Sequence, residues 1–407
     1  MKKVLIIILD GCGKDAFLKA NTPNIDKMIK EGLYIKDCQS VFPTITGPAH
    51  LSLLTGAYPE KTGITGHFYW DKKRRKLIDI NGIKYCQTES LFNVIESYNK
   101  KSLVVGPRAV WFESGDNFFH KIIRKFVNNI SSSQFIMQSP YLFKILRYFR
   151  DNNLFLNLLR GKNSNIAETL KDDRYIFFYL VLGEPDQVGH EYGPDSSQYL
   201  KVIEVCDKKI GMFMDLIKQS KDEIALIITS DHGQVKIDKR ISLENISLEK
   251  IGYKISKIFP HPIGKEVRII VYNKGKSNMA IATLVTRHVQ IWLNNLNDIP
   301  RIIDFFKELE GVERVFTKEE SSKLNLNHER LSDITFVLKP GYGFTTNNWV
   351  GDHGGLSEEE IRVPLIIWGK TVPHKSIDSA SIVDIAPMVS KILGIRTPKD
   401  VQGNPLF

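Results

Sequence analysis

The sequence predicts an α/β fold, an open and mostly parallel sheet sandwiched by helices, on three observations. Continuous apolar, β-rich runs recur at 4–9 (VLIIIL), 175–182 (YIFFYLVL), 224–230 (IALIITS) and 363–369 (VPLIIWG), the pattern of strands covered on both faces. Segments with helical periodicity and end signals lie between them. Acidic and imidazole groups collect just past the first three runs, as Asp10, then GEPDQVGH, then DHGQ. An open parallel sheet places its site at that carboxyl edge.

Taken in order, the first strand delivers Asp10 at its end. Next, Thr22 can N-cap a helix with Pro23 in its first position, Ile25, Met28 and Ile29 on one face, and Gly32 at its end. Residues 110–170, rich in Phe, Leu, Tyr, Lys and Arg, read as amphipathic helices forming a cap. Their basic faces also suit an anionic membrane surface, a reading ranked below cap packing. Between 240 and 345 an alternating strand (288–293), a helix (299–311) and a strand (312–316) mark a small α+β insertion. VPLIIWG continues the sheet, and 384–394 is a helix with Gly394 at its end. The expected organisation is a catalytic domain of 1–239 and 346–407 around an insertion at 240–345.

Composition narrows the function classes. At 407 residues, 42% hydrophobic and 25% charged, the chain is neither disordered, collagenous nor a disulfide scaffold. A net charge of +10 favours anionic partners, whether phosphate compounds, nucleic acid or acidic lipid. Its only dense basic run, KKRRK at 72–76, reads as a solvated loop or hairpin tip. The four cysteines show no CxxC spacing, so reduced thiols are expected. The apolar run near the start is too short for a signal peptide, and nothing approaches the roughly 18 apolar residues of a membrane span. These features lead to the expectation of a soluble, cytoplasmic protein.

Singly, each polar residue past a strand has a structural explanation as a turn cap or a satisfied imidazole. Together, Asp10, Asp186, His190, Asp231, His232 and His353 supply three carboxylates and three imidazoles. That is a ligand set for two divalent metal ions, with nitrogen donors favouring zinc (Zn2+) and leaving manganese (Mn2+) or iron as alternatives. VFPTITGPAHLSLLTGAYPEKTGI (41–64) carries threonines with no neighbouring base. A bound metal can activate such a hydroxyl, and a helix start beside it can hold an anionic oxygen.

In order along nearly the whole chain, LDG, FPTITGPAHLSLLTGAYPEKTGI, EPDQVGHEYGP, SDHGQ, GDHGGL and VDIAPMVSKILGI resemble the alkaline phosphatase superfamily. Within it, the resemblance is to the nucleotide pyrophosphatase/phosphodiesterase family. It implies an alkaline-phosphatase-like fold and a two-metal hydrolase of phosphodiester or nucleotide pyrophosphate bonds, working through a covalent threonine intermediate. By the family's T-x-P-x-H pattern the nucleophile is Thr46, not Thr44 or Thr55. The resemblance further implies that Asp10, Thr46, Asp231 and His232 hold one ion, and Asp186, His190 and His353 the other.

The chain departs from the family twice. Where the family usually has TFPNH, this sequence has Gly47 and Ala49, and His67 stands where an asparagine commonly donates to the phosphoryl oxygen. Gly47 N–H and His67 are the candidates to brace the phosphoryl charge. Phe68, Tyr69 and Trp70 are candidates to stack on a base or alkyl group, against the competing reading of a packed hairpin. No arginine matches the one that monoesterases of the superfamily supply, which favours diesters or nucleotide pyrophosphates. The alternatives are a phosphonoacetate-type phosphonate hydrolase, a phosphomonoesterase or phosphomutase of the same superfamily, and, at a distance, a non-catalytic binder of nucleic acid or membrane. The expected partner is a small phosphate ester or nucleotide, with no stable nucleic-acid partner and the oligomeric state open.

Overall fold

The apolar runs assemble into one sheet. The computed structural model describes residues 1–74, 76–106, 116–117, 166–241, 248–260, 268–274, 278–344 and 348–407. Its main sheet has eight strands: β1 (Lys2–Leu9), β2 (Leu33–Gln39), β3 (Lys101–Val105), β4 (Asp116–Asn117), β5 (Tyr175–Leu182), β6 (Glu223–Thr229), β7 (Arg362–Trp368) and β8 (Lys375–Ser381). Their order is β8-β2-β7-β6-β1-β5-β3-β4. β1 runs parallel to both its neighbours, β5 and β6.

Two-sided burial explains why β1 reads as an unbroken apolar run. Val4, Ile6 and Ile8 feed one core with the helices Thr46–Thr55, Leu91–Ser97 and Ile385–Leu393. Leu5, Ile7 and Leu9 feed the other, under the helices Lys14–Lys19, Pro23–Glu31 and Ser197–Gln219. Each such side chain contributes about 1.5–3 kcal/mol by leaving water, so the sheet is the stable platform for everything at its edge.

Three expectations change. The run at 363–369 is a strand of this sheet, but β7 is antiparallel to both β2 and β6. Its amino end therefore lies at the edge where β1, β5 and β6 finish. Thr22 makes no side-chain cap; instead Asp207, from the helix Ser197–Gln219, accepts the Ile25 N–H at 2.9 Å. The 240–345 region holds far more strand than the sequence showed. Six antiparallel strands lie in the order 254–260, 268–274, 278–285, 288–293, 334–338, 312–317. The helix Ile299–Lys307 packs against this second sheet.

Lys72, Lys73 and Arg74 of the basic run lie at the tip of the hairpin Phe68–Asp71/Lys76–Asp79. The helix Ile385–Leu393 ends at Gly394, in the left-handed conformation. The expected cap at 110–170 lies, apart from 116–117 and 166–170, outside the described residues. All four cysteines are free thiols. Among the described residues no helix is long and apolar enough to cross a membrane.

Candidate active site

The edge formed by the ends of β1, β5 and β6 collects the charged residues. Asp10 follows β1, and its N–H donates to Leu182 O at the end of β5 at 3.0 Å. Asp231 and His232 lie two and three residues past the end of β6. Asp186 and His190 sit one turn apart on the helix Glu184–Tyr192, so both face the same side. His353 arrives on the loop after Gly351–Asp352, a short strand paired with Val235–Ile241.

These residues meet as two triplets, Asp186/His190/His353 and Asp10/Asp231/His232, each with its ligand atoms within 4.8 Å of one another. In the first, His190 Nε2 is 3.3 Å and His353 Nε2 3.7 Å from Asp186 Oδ1. In the second, His232 Nε2 is 3.3 Å from Asp231 Oδ2 and 3.9 Å from Asp10 Oδ1. The imidazole planes of His232 and His353 stack at 3.7 Å, bringing the triplets side by side.

Local hydrogen bonds set which nitrogen faces the carboxylates. His190 Nδ1 donates to Gly351 O at 2.8 Å, His353 Nδ1 to Thr44 O at 2.9 Å and His232 Nδ1 to Gly233 O at 3.1 Å. Each Nε2 lone pair is thereby turned inward, the arrangement of metal-binding histidines. Gln234 Nε2 fixes Asp186 Oδ1 at 2.8 Å. The fully buried Asp231 Oδ2 accepts no well-formed hydrogen bond, and His50 Nε2 stands off at 3.4 Å.

Electrostatics agree with this geometry. Burial alone would raise the Asp186 carboxyl, yet His190 and the neighbouring imidazoles hold it well below the usual range. Burial alone would lower His190, but the Asp186 carboxylate pushes it up to about 9. Burial, with His232 alongside, holds His353 well below an ordinary imidazole. Buried carboxylates are costly without a cation beside them, whether an imidazolium at His190 or a bound ion; the donors fit divalent ions, and their mixed nitrogen and oxygen character fits zinc.

Thr46 is the first residue of the helix Thr46–Thr55 and is buried, with Oγ1 3.4 Å from His232 Nε2. Thr44 and Thr55 are committed elsewhere. Thr44 Oγ1 donates to Gly355 O at 2.9 Å, and Thr55 Oγ1 to Leu51 O at 2.7 Å.

His67 comes to the same helix start with a residue that sequence reasoning missed, Asn81. Asn81 Nδ2 donates to Asp79 Oδ1 at 2.9 Å, so its Oδ1 faces His67 Nδ1 at 2.5 Å and the hydrogen there belongs to the imidazole. A Cβ on Gly47 would lie 2.7 Å from Asn81 Oδ1 and 3.8 Å from His67 Nδ1. Gly47 is thus the space that admits the pair.

The aromatics that follow are part of the hairpin's packing. Phe68 is 3% exposed and belongs to the core, so it is withdrawn as a base-stacking residue. Tyr69 lies under the Arg330 guanidinium at 5.4 Å, and both Tyr69 and Trp70 pack on Trp292 of the second sheet.

Other contributors were given no role by sequence reasoning, although His50 is the histidine of the T-x-P-x-H pattern. His50 bridges Tyr179 Oη, at 2.6 Å, to Asp231. Trp349 stacks on His190 with 3.6 Å between ring centres. The only trace of Gln234 was its place after DHG.

Sheet order, ligand clusters and a threonine at a helix start are those of a metal-dependent hydrolase of phosphoric esters or anhydrides. Comparison with known proteins makes this specific: residues 4–358 match the type I phosphodiesterase / nucleotide pyrophosphatase family, and the chain belongs to it. It is similar to a bis(5'-adenosyl)-triphosphatase of Xenopus laevis, 25% identical over 405 residues, covering 97% of this chain and 78% of that protein. It is also similar to ectonucleotide pyrophosphatase/phosphodiesterase family member 7 of Mus musculus, 20% identical over 424 residues, covering 99% and 85%.

Among solved structures, it resembles murine ectonucleotide pyrophosphatase/phosphodiesterase 5, solved as an inactive threonine-to-alanine variant in complex with AMP. The TM-score is 0.66 at 20% identity, over 98% of this chain and 96% of that one. Wild-type alkaline phosphatase PafA matches with a TM-score of 0.71 at 14% identity, over 100% and 98%. The fold is alkaline-phosphatase-like, and two clusters of metal-ligating residue types lie at its strand ends. Relatives named for ectonucleotide hydrolysis overturn the cytoplasmic expectation, which is withdrawn.

Proposed function

We propose that this chain cleaves phosphodiester or nucleotide pyrophosphate bonds by in-line attack of the Thr46 oxygen on phosphorus, at a centre holding two zinc ions. The observation that carries this reading is the seat of Thr46 Oγ1. It lies at the amino end of a helix, 3.4 Å from His232 Nε2 and beside the Gly47 contact with Asn81 and His67. Asp10, Thr46, Asp231 and His232 would hold one ion, and Asp186, His190 and His353 the other. When bound, the ions supply Lewis acidity that favours the threonine alkoxide and neutralises phosphoryl charge.

The protein's own groups do the rest. As the Oγ–phosphorus bond forms, the bond to the leaving oxygen breaks, the threonine proton passes to solvent and the leaving group is protonated. Water then displaces Thr46, whose hydroxyl regains a proton. Two inversions give net retention at phosphorus. The first-turn N–H groups of the Thr46 helix, Gly47 among them, have no partners within the helix and suit an equatorial phosphoryl oxygen. His67, with Nδ1–H given to Asn81, meets that oxygen through Nε2 when the ring carries both protons.

The buried Arg287 is engaged by Glu360 and is not a substrate arginine. A nucleotide substrate is supported by the family and by a relative named a bis(5'-adenosyl)-triphosphatase. The test is zinc-supplemented hydrolysis of bis-p-nitrophenyl phosphate against p-nitrophenyl phosphate, with Thr46→Ala as control. The expected result is a diester preference, with diester turnover falling at least a thousandfold in the variant. A monoester preference, or turnover untouched by the variant, overturns it.

A further inference from the structure

The second sheet reaches the His353 loop through the two-residue turn Thr286–Arg287 between the strands Asn278–Val285 and His288–Leu293. Arg287 is fully buried there. Its N–H donates to His353 O at 2.9 Å, Nε to Tyr342 O at 3.1 Å and Nη2 to Leu338 O at 2.6 Å. Nη1 meets Glu360 Oε2 in an ion pair whose two side chains are both 0% exposed.

Glu360 carries the contact onward to both ligand loops. Its Oε1 accepts the Gly355 N–H at 2.7 Å, two residues past His353. Its Oε2 accepts Ser357 Oγ at 2.8 Å, and its main-chain oxygen accepts the Gly233 N–H at 2.8 Å, next to His232. A Cβ on Gly355 would lie 2.6 Å from Glu360 Oε2 and 2.9 Å from Arg287 Nη1. A Cβ on Gly354, whose φ is +110°, would collide with Thr286 Oγ1. The glycine pair after His353 therefore serves the approach of this turn as well as the bend of its own loop.

We infer that Arg287 and Glu360 are positioning residues through which the 240–345 insertion clamps the His353 loop and the Asp231–His232 loop together, and so governs how firmly the chain holds its metal ions. This rests on the two-ion reading above. Glu360 also closes a capping box with Ser357, and a role limited to that box would leave Arg287 irrelevant to the metal. A lone Arg287 change would strand a buried carboxylate and destabilise the fold. The informative variant is Arg287→Met with Glu360→Gln, which removes both charges while keeping a residue suited to the capping box.

Two readouts decide. Zinc stoichiometry and the rate of zinc transfer to a chelator are measured on the folded wild type and double variant, with circular dichroism verifying the fold. Amide hydrogen exchange is followed over 230–236 and 351–358. The clamp predicts zinc transfer faster by about 10–100-fold, the range for lost outer partners of metal ligands, and joint loss of protection in both segments. Unchanged transfer and protection overturn it. Should the wild type fail to bind a pair of ions, the two-ion reading falls, and the exchange data still decide the clamp. Arg287→Lys, which keeps the charge but loses the fork that reaches three oxygens at once, gives an intermediate transfer rate.

Discussion

Gly47→Ala adds one methyl group at the point where the Thr46 helix meets Asn81. The new Cβ would lie 2.7 Å from Asn81 Oδ1, whereas carbon contacts settle at about 3.5–4.0 Å, so a shift of roughly 1 Å is required. Every residue of the helix is buried, while Asn81 is only half-buried, so Asn81 yields. Its 2.5 Å bond to His67 Nδ1 then opens beyond hydrogen-bonding range. Losing a hydrogen bond that holds a phosphoryl-binding imidazole costs about 1.5–3 kcal/mol, which is about 10- to 150-fold in kcat/KM. The assay is diester hydrolysis with zinc content and melting temperature recorded alongside, so that a damaged fold or metal site is recognised. Asn81→Ala alone is expected to show the same loss, and the double variant no more than either single one, because both break one unit. A Gly47→Ala enzyme within twofold of wild type, zinc content unchanged, refutes the assignment of His67 and Asn81 to the phosphoryl pocket.

Chelation abolishes diester hydrolysis and lowers the melting temperature, both restored by zinc, because a ligand bound only by the folded state stabilises it; a chelator-resistant activity would exclude the metal centre. Gln234→Leu removes the 2.8 Å hydrogen bond to Asp186 Oδ1 and weakens zinc binding by about 10–100-fold, read by competition with a chromophoric chelator. Burial raises the thiols of Cys12, Cys38 and Cys206, so each stays protonated at pH 8; a disulfide reagent should label them only after urea is added, and rapid labelling of the native protein would contradict their burial.

The two clusters of candidate ligands were legible because their signal is local. Asp10, Asp186, His190, Asp231 and His232 each lie a few residues beyond a buried strand, so a one-dimensional reading meets the strand and its polar group together. Direction was not legible at β7, since an apolar run reads alike whether its strand is parallel or antiparallel. Thr22 had the right residue type for a cap, but the long helix brings Asp207 to the same N–H groups and displaces it. Nothing in the spacing could join Arg287 to Glu360, which lie 73 residues apart and meet only once the second sheet has folded.

The same limit explains the departures at Gly47 and His67. Read along the chain, one is a lost aromatic and the other a replaced asparagine, two unrelated changes. In space they are a single change. Without a side chain at 47, Asn81 can reach the helix start from just past the hairpin's second strand, and Asp79 behind it orients the amide toward His67. On the proposed mechanism the phosphoryl pocket would keep a hydrogen-bonding wall, assembled from the segments that carry His67 and Asn81. A substrate fitted to this wall meets an imidazole edge backed by an amide, so nucleotide preference should follow substitutions at 47, 67, 79 and 81 as a set.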